Sequence, residues 1–244
     1  CDPSSRDNVW LVKAVGLSCG ESIYIRSGIL DLLRLISSDM KFKCVVQKYI
    51  ERPLLVRSGR KFDIRQWVLV TSVNPLVIYG FTQCYLRLSS QPYTLEEGGL
   101  TNNFVHLTNN AIQKTAIPDD ESSCPDSHPL YHPLMMTQSE FEAALDGQLY
   151  EGVSCEGPTL VEDIRSRMKE ITAASITATR DRLEKVGRGY EWLGLDFMVS
   201  SNLDVKLLEI NTSPDTTYST PITEWLVKAA TKDLMDLILE EKLT

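Results

Sequence analysis

The sequence predicts an α+β fold of antiparallel strands and a few helices, and three observations support this. Between residues 8 and 89, short apolar runs alternate with turn-forming residues, as is typical of consecutive strands. Residues 159–186 place apolar side chains at helical spacing. Two further apolar runs, around Asp196 and Glu209, are separated by a short polar stretch, which indicates a hairpin.

The same patterns give the elements in order along the chain. Strands are predicted at residues 8–13, 23–25, 44–50, 61–70, 76–81, 83–89, 194–199 and 207–211. Helices are predicted at residues 29–36, 139–150, 159–186 and 222–242. Ser139 is the predicted N-cap of the second helix, because Glu142 follows at the capping-box position.

We expect two domains, a smaller one over residues 1–55 and a larger one over residues 56–244. Residues 115–137 are rich in Pro, Asp and Ser and are interpreted as a mobile surface insertion. Cys124, His128 and His132 lie in it at a spacing that could resemble a metal site. A fourth ligand and a strand–helix scaffold are missing, so we interpret these residues as no metal site.

Composition narrows the class of protein. The 244 residues carry a net charge of −8, with +5 in residues 1–114 and −13 in the remainder. A basic first part suggests an anionic ligand or partner, although solvated surface charge would give the same pattern. Six widely spaced cysteines indicate free thiols in a reducing compartment, and no apolar run could span a membrane. Because the sequence begins with Cys1, we expect a longer protein.

Candidate metal ligands lie on the last two predicted strands. Glu209 and Asn211 are two residues apart and therefore share one face of a strand, and Asp196 interrupts the preceding apolar run. Hard oxygen donors of this kind suit Mg²⁺. The alternative is a hairpin whose acids face solvent. We disfavour it, because each acid interrupts an apolar stretch and a buried carboxylate without a partner is costly.

Candidate anion-binding residues lie earlier in the chain. Lys13 ends a strand and precedes a loop of small residues, a weak signal for phosphate binding. Lys61, Asp63 and Arg65 share one face of a strand that continues as an apolar run. Such a face is often just exposed to solvent, but two cations flanking an acid are more simply explained by a polar cleft for an anionic ligand. Arg87 stands alone on a later strand.

Five segments in this order resemble the tubulin tyrosine ligase-like family. They are Lys13, Gln47-Lys48-Tyr49-Ile50, Lys61-Phe62-Asp63-Ile64-Arg65, His106-Leu107-Thr108-Asn109 and Leu208-Glu209-Ile210-Asn211. The stretches Tyr85-Leu86-Arg87-Leu88-Ser89-Ser90-Gln91-Pro92 and Asn109-Asn110-Ala111-Ile112-Gln113 look most like the branch that adds glycine to tubulin. The resemblance implies an ATP-grasp fold, in which two α+β lobes hold ATP between antiparallel sheets.

The resemblance also implies a role for each candidate residue. Arg65 and Arg87 would be catalytic and would steady an acyl phosphate and the acceptor carboxylate. The nucleotide would be held by Lys13 and Lys61 at its phosphates, by Gln47, Lys48, Tyr49 and Ile50 at its adenine, and by Asp63 at its ribose. Asp196, Glu209 and Asn211 would hold Mg²⁺. His106, Thr108 and Asn109 would line the pocket for the incoming amino acid, and a purely structural role for His106 is the alternative.

The activity implied is an ATP- and Mg²⁺-dependent ligation of glycine to glutamate side chains of tubulin tails. The implied partners are free glycine and the acidic tails of tubulin or microtubules, with no nucleic acid and no membrane, and the protein would be a monomer of the cytoplasm and cytoskeleton, in cilia or flagella. A sister ligase that adds glutamate or tyrosine is one alternative. Another is a weak or inactive member that binds microtubules or nucleotide, because Cys19 and Ser22 depart from the family's first loop and Glu21 adds a negative charge there.

Overall fold

The computed structural model describes residues 8–14, 23–38, 43–96, 99–116, 129–146, 149–150, 153–154, 156–183 and 189–243. The strands are β1 (Val9–Ala14), β2 (Ile23–Ser27), β3 (Cys44–Lys48), β4 (Leu55–Val56), β5 (Arg60–Val73), β6 (Leu76–Pro92), β7 (Met135–Thr137), β8 (Leu149–Tyr150), β9 (Val153–Ser154), β10 (Glu191–Val199) and β11 (Val205–Asn211). The helices are α1 (Ile29–Ser38), α2 (Asn103–His106), α3 (Asn110–Gln113), α4 (Gln138–Leu145), α5 (Gly157–Leu183) and α6 (Pro221–Leu243).

The chain divides into two compact units, each built from two separate segments of the sequence. Unit 1 comprises residues 1–62 and 88–121, and unit 2 comprises residues 63–87 and 122–244. This division follows contact density and differs from the predicted boundary at residue 55. The boundary between the lobes of the family fold therefore stays a prediction.

Unit 1 contains a three-stranded antiparallel sheet in the order β2-β1-β3. Helix α1 packs on one face of it through Leu32 and Leu35, which contact the fully buried Val12. Val9, Ile25 and Tyr49 form a second apolar cluster. Alternate side chains of a strand point to opposite faces of a sheet, and burial of both faces explains why β1 is apolar throughout its centre.

The larger sheet has the order β11-β10-β5-β6-β7, with β4 paired to the start of β5. The pairings with a determined register are antiparallel. In unit 2, α6 covers one cluster through Ile222 and Leu226, which pack against Trp67 and Tyr85. Helix α5 buries Met168 and Ile176. The predicted architecture of antiparallel sheets with flanking helices is confirmed.

Several predicted elements differ in detail. Residues 135–137, at the end of the predicted insertion over 115–137, form strand β7, which pairs with β6 and buries Met135 and Met136. Helix α4 ends at Leu145 rather than at residue 150. Strand β6 is continuous over residues 76–92, so the two strands predicted at 76–81 and 83–89 are one strand. Strand β3 ends at Lys48 rather than at Ile50. Helix α4 is capped by Thr137, whose hydroxyl accepts from Glu140 N while the Glu140 carboxylate accepts from Thr137 N. The predicted cap at Ser139 is wrong, since a second Ser/Thr-x-x-Glu pattern lies two residues upstream.

The joint between α4 and α5 depends on a glycine. Gly157 N donates to Asp146 Oδ1 at 3.1 Å at the start of α5. A Cβ atom at position 157 would lie 1.9 Å from the carbonyl oxygen of Glu142, a backbone atom at the end of α4. No side chain fits there, so glycine sets how closely the two helices meet.

Within the described part of the chain, no helix combines the length and the apolar character needed to cross a membrane.

Candidate active site

The three central strands of the larger sheet align the predicted metal acids. Strand β10 pairs with β11 on one side and with β5 on the other. In this register Asp196 lies opposite Glu209 on β11 and opposite Arg65 on β5. A bulge follows between Asp196 and Phe197. Antiparallel pairing therefore places an arginine, an aspartate and a glutamate in one row across three strands.

Asp196 belongs to a buried series of four alternating charges, which we call the carboxylate–guanidinium chain: Asp63, Arg87, Asp196 and Arg65. Arg87 donates from Nε and Nη2 to the two oxygens of Asp63 at 2.8 and 2.7 Å. Its Nη2 also donates to Asp196 Oδ2 at 2.8 Å. Arg65 donates from Nε to Asp196 Oδ1 and from Nη2 to Oδ2, the latter at 3.1 Å. All four side chains are at most a tenth exposed.

The electrostatics of this chain favour the charged states of Asp196 and Arg87. Burial alone would raise the pKa of Asp196, but Arg87 and Arg65 outweigh it and lower that pKa below its ordinary value. Burial would lower the pKa of Arg87, but Asp63 and Asp196 outweigh it and raise that pKa well above the ordinary value. The expectation that a buried Asp196 needs a partner is confirmed, and the partners are two guanidinium groups.

One nitrogen in each of the Arg65 and Arg87 guanidinium groups is available to a ligand. Nη1 of Arg65 and Nη1 of Arg87 donate to no residue in the ranges that the structure describes. Gly194 packs closely against Arg65 and Pro214 and confines Arg65, since a Cβ atom there would lie 3.5 Å from Arg65 Nη1 and 2.8 Å from Pro214 Cβ. Two fixed donors of this kind can bind a carboxylate or phosphate without reorganising.

The donors predicted for Mg²⁺ fit it in part. Asn211 Nδ2 lies 3.4 Å from Glu209 Oε1, so these two side chains share one face as predicted. The expectation that Glu209 does not face solvent is wrong, since its side chain is exposed. One carboxylate with an amide oxygen suffices for Mg²⁺. Both oxygens of Asp196 instead accept from guanidinium groups. The described residues contain no cluster of three His, Cys, Asp or Glu side chains. Glu209 and Asn211 are thus the better candidates.

A second polar group surrounds Lys61 in unit 1, and we call it the Lys61 network. Lys61 Nζ donates to the Tyr49 hydroxyl at 2.9 Å and to the carbonyl oxygen of His106 at 2.8 Å. It also lies 4.6 Å from the centre of the Tyr49 ring, within cation–π range. Lys61 is 3% exposed. Its ammonium group is thus held by a hydroxyl, a carbonyl and an aromatic face.

His106 completes the Lys61 network with both ring nitrogens. Nε2 lies 3.0 Å from the carbonyl oxygen of Gly99, which can only accept, so Nε2 carries the proton. Nδ1 then accepts from the Tyr49 hydroxyl at 2.9 Å. Burial, and next the charge of Lys61, lowers the pKa of His106 to about 4. The ring is 1% exposed and neutral near pH 7, an environment that suits the structural role considered for it.

The remaining predicted nucleotide residues lie on or beside the small sheet. Lys13 is on β1 and half-buried, and Gln47 and Lys48 are on β3. Lys48 Nζ donates to the carbonyl oxygen of Val9 at 3.1 Å and pairs with Glu51. Ile50 follows β3 and is half-buried. The loop after Ala14, including Cys19, Glu21 and Ser22, lies outside the described residues.

Thr108 and Asn109, the other residues predicted to line the amino-acid pocket, follow α2. Thr108 is buried, and Asn109 is half-buried at the N-cap of α3. Cys44 and Cys84 are free thiols, as expected. Of the three residues considered and rejected as metal ligands, Cys124 and His128 lie outside the described residues.

Sequence reasoning missed two residues that organise these groups. Glu51 accepts from Val9 N at 2.7 Å and from Lys48, and Tyr93 donates to the carbonyl oxygen of Glu51 at 2.8 Å. Glu51 follows the Gln47–Ile50 motif directly, and an acid at a strand end could have indicated a partner for Lys48. Nothing in the local pattern indicates Tyr93.

Comparison with known proteins adds to this geometry. The chain matches the tubulin-tyrosine ligase family over residues 2–242. It belongs to that family. The antiparallel α+β architecture is the one expected for this ATP-grasp-like family.

Among its relatives, tubulin glycylase 3C of Tetrahymena thermophila is 36% identical over 238 residues, which are 97% of this chain and 21% of that protein. The tubulin monoglycylase TTLL3 of Danio rerio is 36% identical over 96% of this chain and 29% of its own length. The protein monoglycylase TTLL8 of Mus musculus is 32% identical over 97% of this chain and 27% of its own length. The chain thus spans less than a third of the length of these relatives.

Proposed function

We propose that this chain carries the catalytic residues of an ATP-dependent ligase that adds glycine to glutamate side chains of tubulin C-terminal tails. The observation that carries the proposal is the carboxylate–guanidinium chain, which fixes Arg65 and Arg87 while leaving Nη1 of each for an anion. The names of the similar glycylases support tubulin as the acceptor protein and glycine as the added amino acid.

The reaction has two steps. A carboxylate oxygen of the acceptor glutamate attacks the γ-phosphorus of ATP, the bond to the β–γ bridging oxygen breaks, and ADP leaves with the electron pair. The amine of glycine, having lost a proton, then attacks the acyl carbon, and inorganic phosphate leaves. The product is an isopeptide bond. Charge crowds the reacting atoms in both steps, so fixed cations contribute more than a base would.

Residues of this chain take defined roles in that reaction. Arg65 and Arg87 hold the acceptor carboxylate and the acyl phosphate through Nη1, a task for which guanidinium suits better than ammonium. Lys13 and Lys61 bind phosphates, Asp63 lies near the ribose, and Gln47, Lys48, Tyr49 and Ile50 contact the adenine. Thr108 and Asn109 line the pocket for glycine, and His106 lies beside them.

Glu209 and Asn211 would hold Mg²⁺, with Asp196 next to Glu209 on the neighbouring strand. Mg²⁺, when bound, neutralises phosphate oxygens. Residues 1–114 carry a net charge of +5, which suits an acidic tail and predicts weaker association at high salt. We place the protein as a monomer at the cytoskeleton, in cilia or flagella.

The test is incorporation of labelled glycine into tubulin by the full-length protein with ATP. Replacing Glu209 by Gln should lower the rate by about a hundredfold or more, because the phosphate charge is then less well neutralised. The matched control is Glu224→Gln on α6, where the exposed glutamate pairs only with Lys228 among the described residues. Equal incorporation by Glu209→Gln and the wild type would remove the metal assignment. Parallel assays with glutamate and tyrosine separate a glycine ligase from the sister ligases.

A second candidate, a family member that binds nucleotide or microtubules without ligating, is favoured by the sequence of the first loop. Glu21 there adds negative charge where phosphates are expected. Thermal unfolding with and without Mg-ATP tests nucleotide binding, because a ligand that binds the folded state alone raises the unfolding temperature. A raised temperature without glycine incorporation supports this candidate over the ligase.

A further inference from the structure

A cavity of about 350 Å³ lies within unit 2, between the sheet and helix α5. Gln66 and Val68 of β5 line it from the sheet, and Arg165 and Lys169 line it from the helix. Neighbouring residues of a strand point to opposite faces, so the cavity lies on the face of β5 opposite to Arg65. Neither the proposed reaction nor its predicted residues use this space.

The walls of the cavity are mainly apolar. They are formed by Ile78 and Phe81 of β6 and by Met168 and Ala173 of α5. Thr172 also lines it, but its hydroxyl donates to the carbonyl oxygen of Met168 at 2.7 Å and is therefore satisfied. A largely apolar concavity of this size with a few polar groups is typical of small-molecule sites.

Gln66 provides a hydrogen-bond acceptor of fixed orientation. Its Nε2 donates to the backbone carbonyl oxygens of Trp67 at 3.0 Å and of Phe81 at 2.8 Å, so the amide cannot be flipped. Its Oε1 accepts from no side chain or backbone group in the part of the chain that the structure describes. Gln66 lines the cavity and is 8% exposed, so this acceptor is open to a ligand that brings a donor.

Arg165 and Lys169 provide positive charge on one side of the cavity. They are four residues apart on α5 and therefore lie on one helix face. Both are near Glu162, at 3.6 and 3.4 Å, but that carboxylate is 61% exposed and such pairs are weak. The Arg165 side chain is 18% exposed, and its guanidinium makes no hydrogen bond to the described residues. A mostly buried guanidinium in this state suits an anionic ligand.

We propose that this cavity is a binding site for a small apolar carboxylate that also bears an N–H donor. The carboxylate pairs with Arg165, the apolar body packs against Phe81 and Met168, and the N–H group donates to Gln66 Oε1. Lys169 is 67% exposed and adds only long-range positive charge. An N-acylated apolar amino acid has all three features. The site is separate from the carboxylate–guanidinium chain, although Gln66 follows Arg65 directly in β5.

The test is titration of the chain with N-acetyl-L-phenylalanine, followed by calorimetry and by the change in unfolding temperature. The uncharged N-acetyl-L-phenylalaninamide is the matched ligand control. We expect saturable binding of the acid and binding of the amide that is weaker by about tenfold or more, since a hydrogen bond to a charged group is then lost.

Two arginine variants on the same helix locate the site. Arg165→Gln should weaken binding of the acid by about tenfold or more, whereas Arg167→Gln should leave it unchanged, because Arg167 is 67% exposed and pairs with Glu170. Met168→Trp, which fills the cavity, should also abolish binding. No saturable binding at millimolar acid, or equal binding by both arginine variants, would overturn the proposal. No nucleotide is used, so either outcome leaves the proposed ligase function untouched.

Discussion

The two buried polar groups of this chain hold their cations in different ways. In the carboxylate–guanidinium chain of unit 2, two arginines meet two aspartates, and the four charges cancel. In the Lys61 network of unit 1, the three contacts described for the ammonium group are with a hydroxyl, a carbonyl oxygen and an aromatic ring, and each of these three groups is neutral.

This difference determines how much stability each group loses when one of its partners is removed. Removing one carboxylate from a buried ion pair leaves an uncompensated charge, which is strongly destabilising. Removing one neutral acceptor costs a hydrogen bond and the desolvation of its partner, which is a smaller loss. We therefore expect a substitution in the carboxylate–guanidinium chain to lower the free energy of unfolding more than a substitution in the Lys61 network does.

The largest effect is expected for Asp196→Asn, which removes the carboxylate shared by Arg65 and Arg87. The free energy of unfolding should fall by about 3–5 kcal/mol, as measured by chemical denaturation. Asp204→Asn is the control, because Asp204 is 57% exposed and 3.6 Å from Lys206. If both variants lose the same stability, the carboxylate–guanidinium chain does not hold unit 2 together.

The next effect concerns pH and His106. The pKa of His106 is lowered to about 4 in the folded chain, and an unfolded histidine titrates near about 6.5. As pH falls from about 6.5 to about 4, the unfolded chain binds a proton that the folded chain does not, so stability falls. The contribution amounts to about 2–3 kcal/mol at the acid end of that window.

The measurement is the free energy of unfolding at several pH values, compared with that of His106→Gln, which cannot titrate. The variant should show a smaller loss of stability over this window. Asp196 contributes its own loss only at lower pH, since its pKa lies below the ordinary value. Identical pH profiles would mean that His106 is not held neutral in the folded chain.

A smaller effect is expected for Gly194→Ala. The new Cβ atom would lie 2.8 Å from Pro214 Cβ and 3.4 Å from Arg65 Cδ, so one of these residues must move. We expect a loss of about 1–3 kcal/mol in thermal or chemical unfolding. Gly80→Ala is the matched control, because a Cβ atom there has open space around it. Equal stability of both variants would show that Arg65 is not confined as described.

The smallest effect is expected for Tyr49→Phe, which removes the hydroxyl between Lys61 and His106. The buried donor and acceptor that it leaves should cost about 1–2 kcal/mol, since the aromatic ring and its contact with Lys61 remain. Tyr190→Phe serves as control, because that tyrosine is 47% exposed. A loss as large as that of Asp196→Asn would contradict the contrast between neutral and charged partners.

Local patterns predicted most of the fold. Apolar runs between turn residues predicted β1, β2, β3, β5, β6, β10 and β11, and helical spacing predicted α1, α5 and α6. The short elements β4, β7, β8, β9, α2 and α3 carry too few residues for a period and were not predicted. The cap of α4 was misplaced, since Thr137 with Glu140 and Ser139 with Glu142 both satisfy the same rule. Local sequence could not choose between them. Packing decides which turn becomes helical.

The candidate site was only partly predictable. Strand periodicity placed Glu209 and Asn211 on one face, but the bond between Arg65 and Asp196 joins residues 131 positions apart. Such a contact depends on strand order, which no local pattern contains. The cavity beside α5 was missed for a related reason. Of the two cations beside Met168, Lys169 is 67% exposed and Arg165 only 18%, and the sequence alone does not distinguish them.

The joint at Gly157 has a consequence for how this chain can vary. With the Glu142 carbonyl oxygen 1.9 Å from where a Cβ atom would lie, every codon change at position 157 that introduces a side chain must push α5 away from α4. Gly189, around which a Cβ atom meets nothing, has no such restriction. In a saturation library of this chain, position 157 would retain glycine alone while position 189 diversifies. Tolerance to substitution is therefore set by where backbones meet as well as by where chemistry occurs.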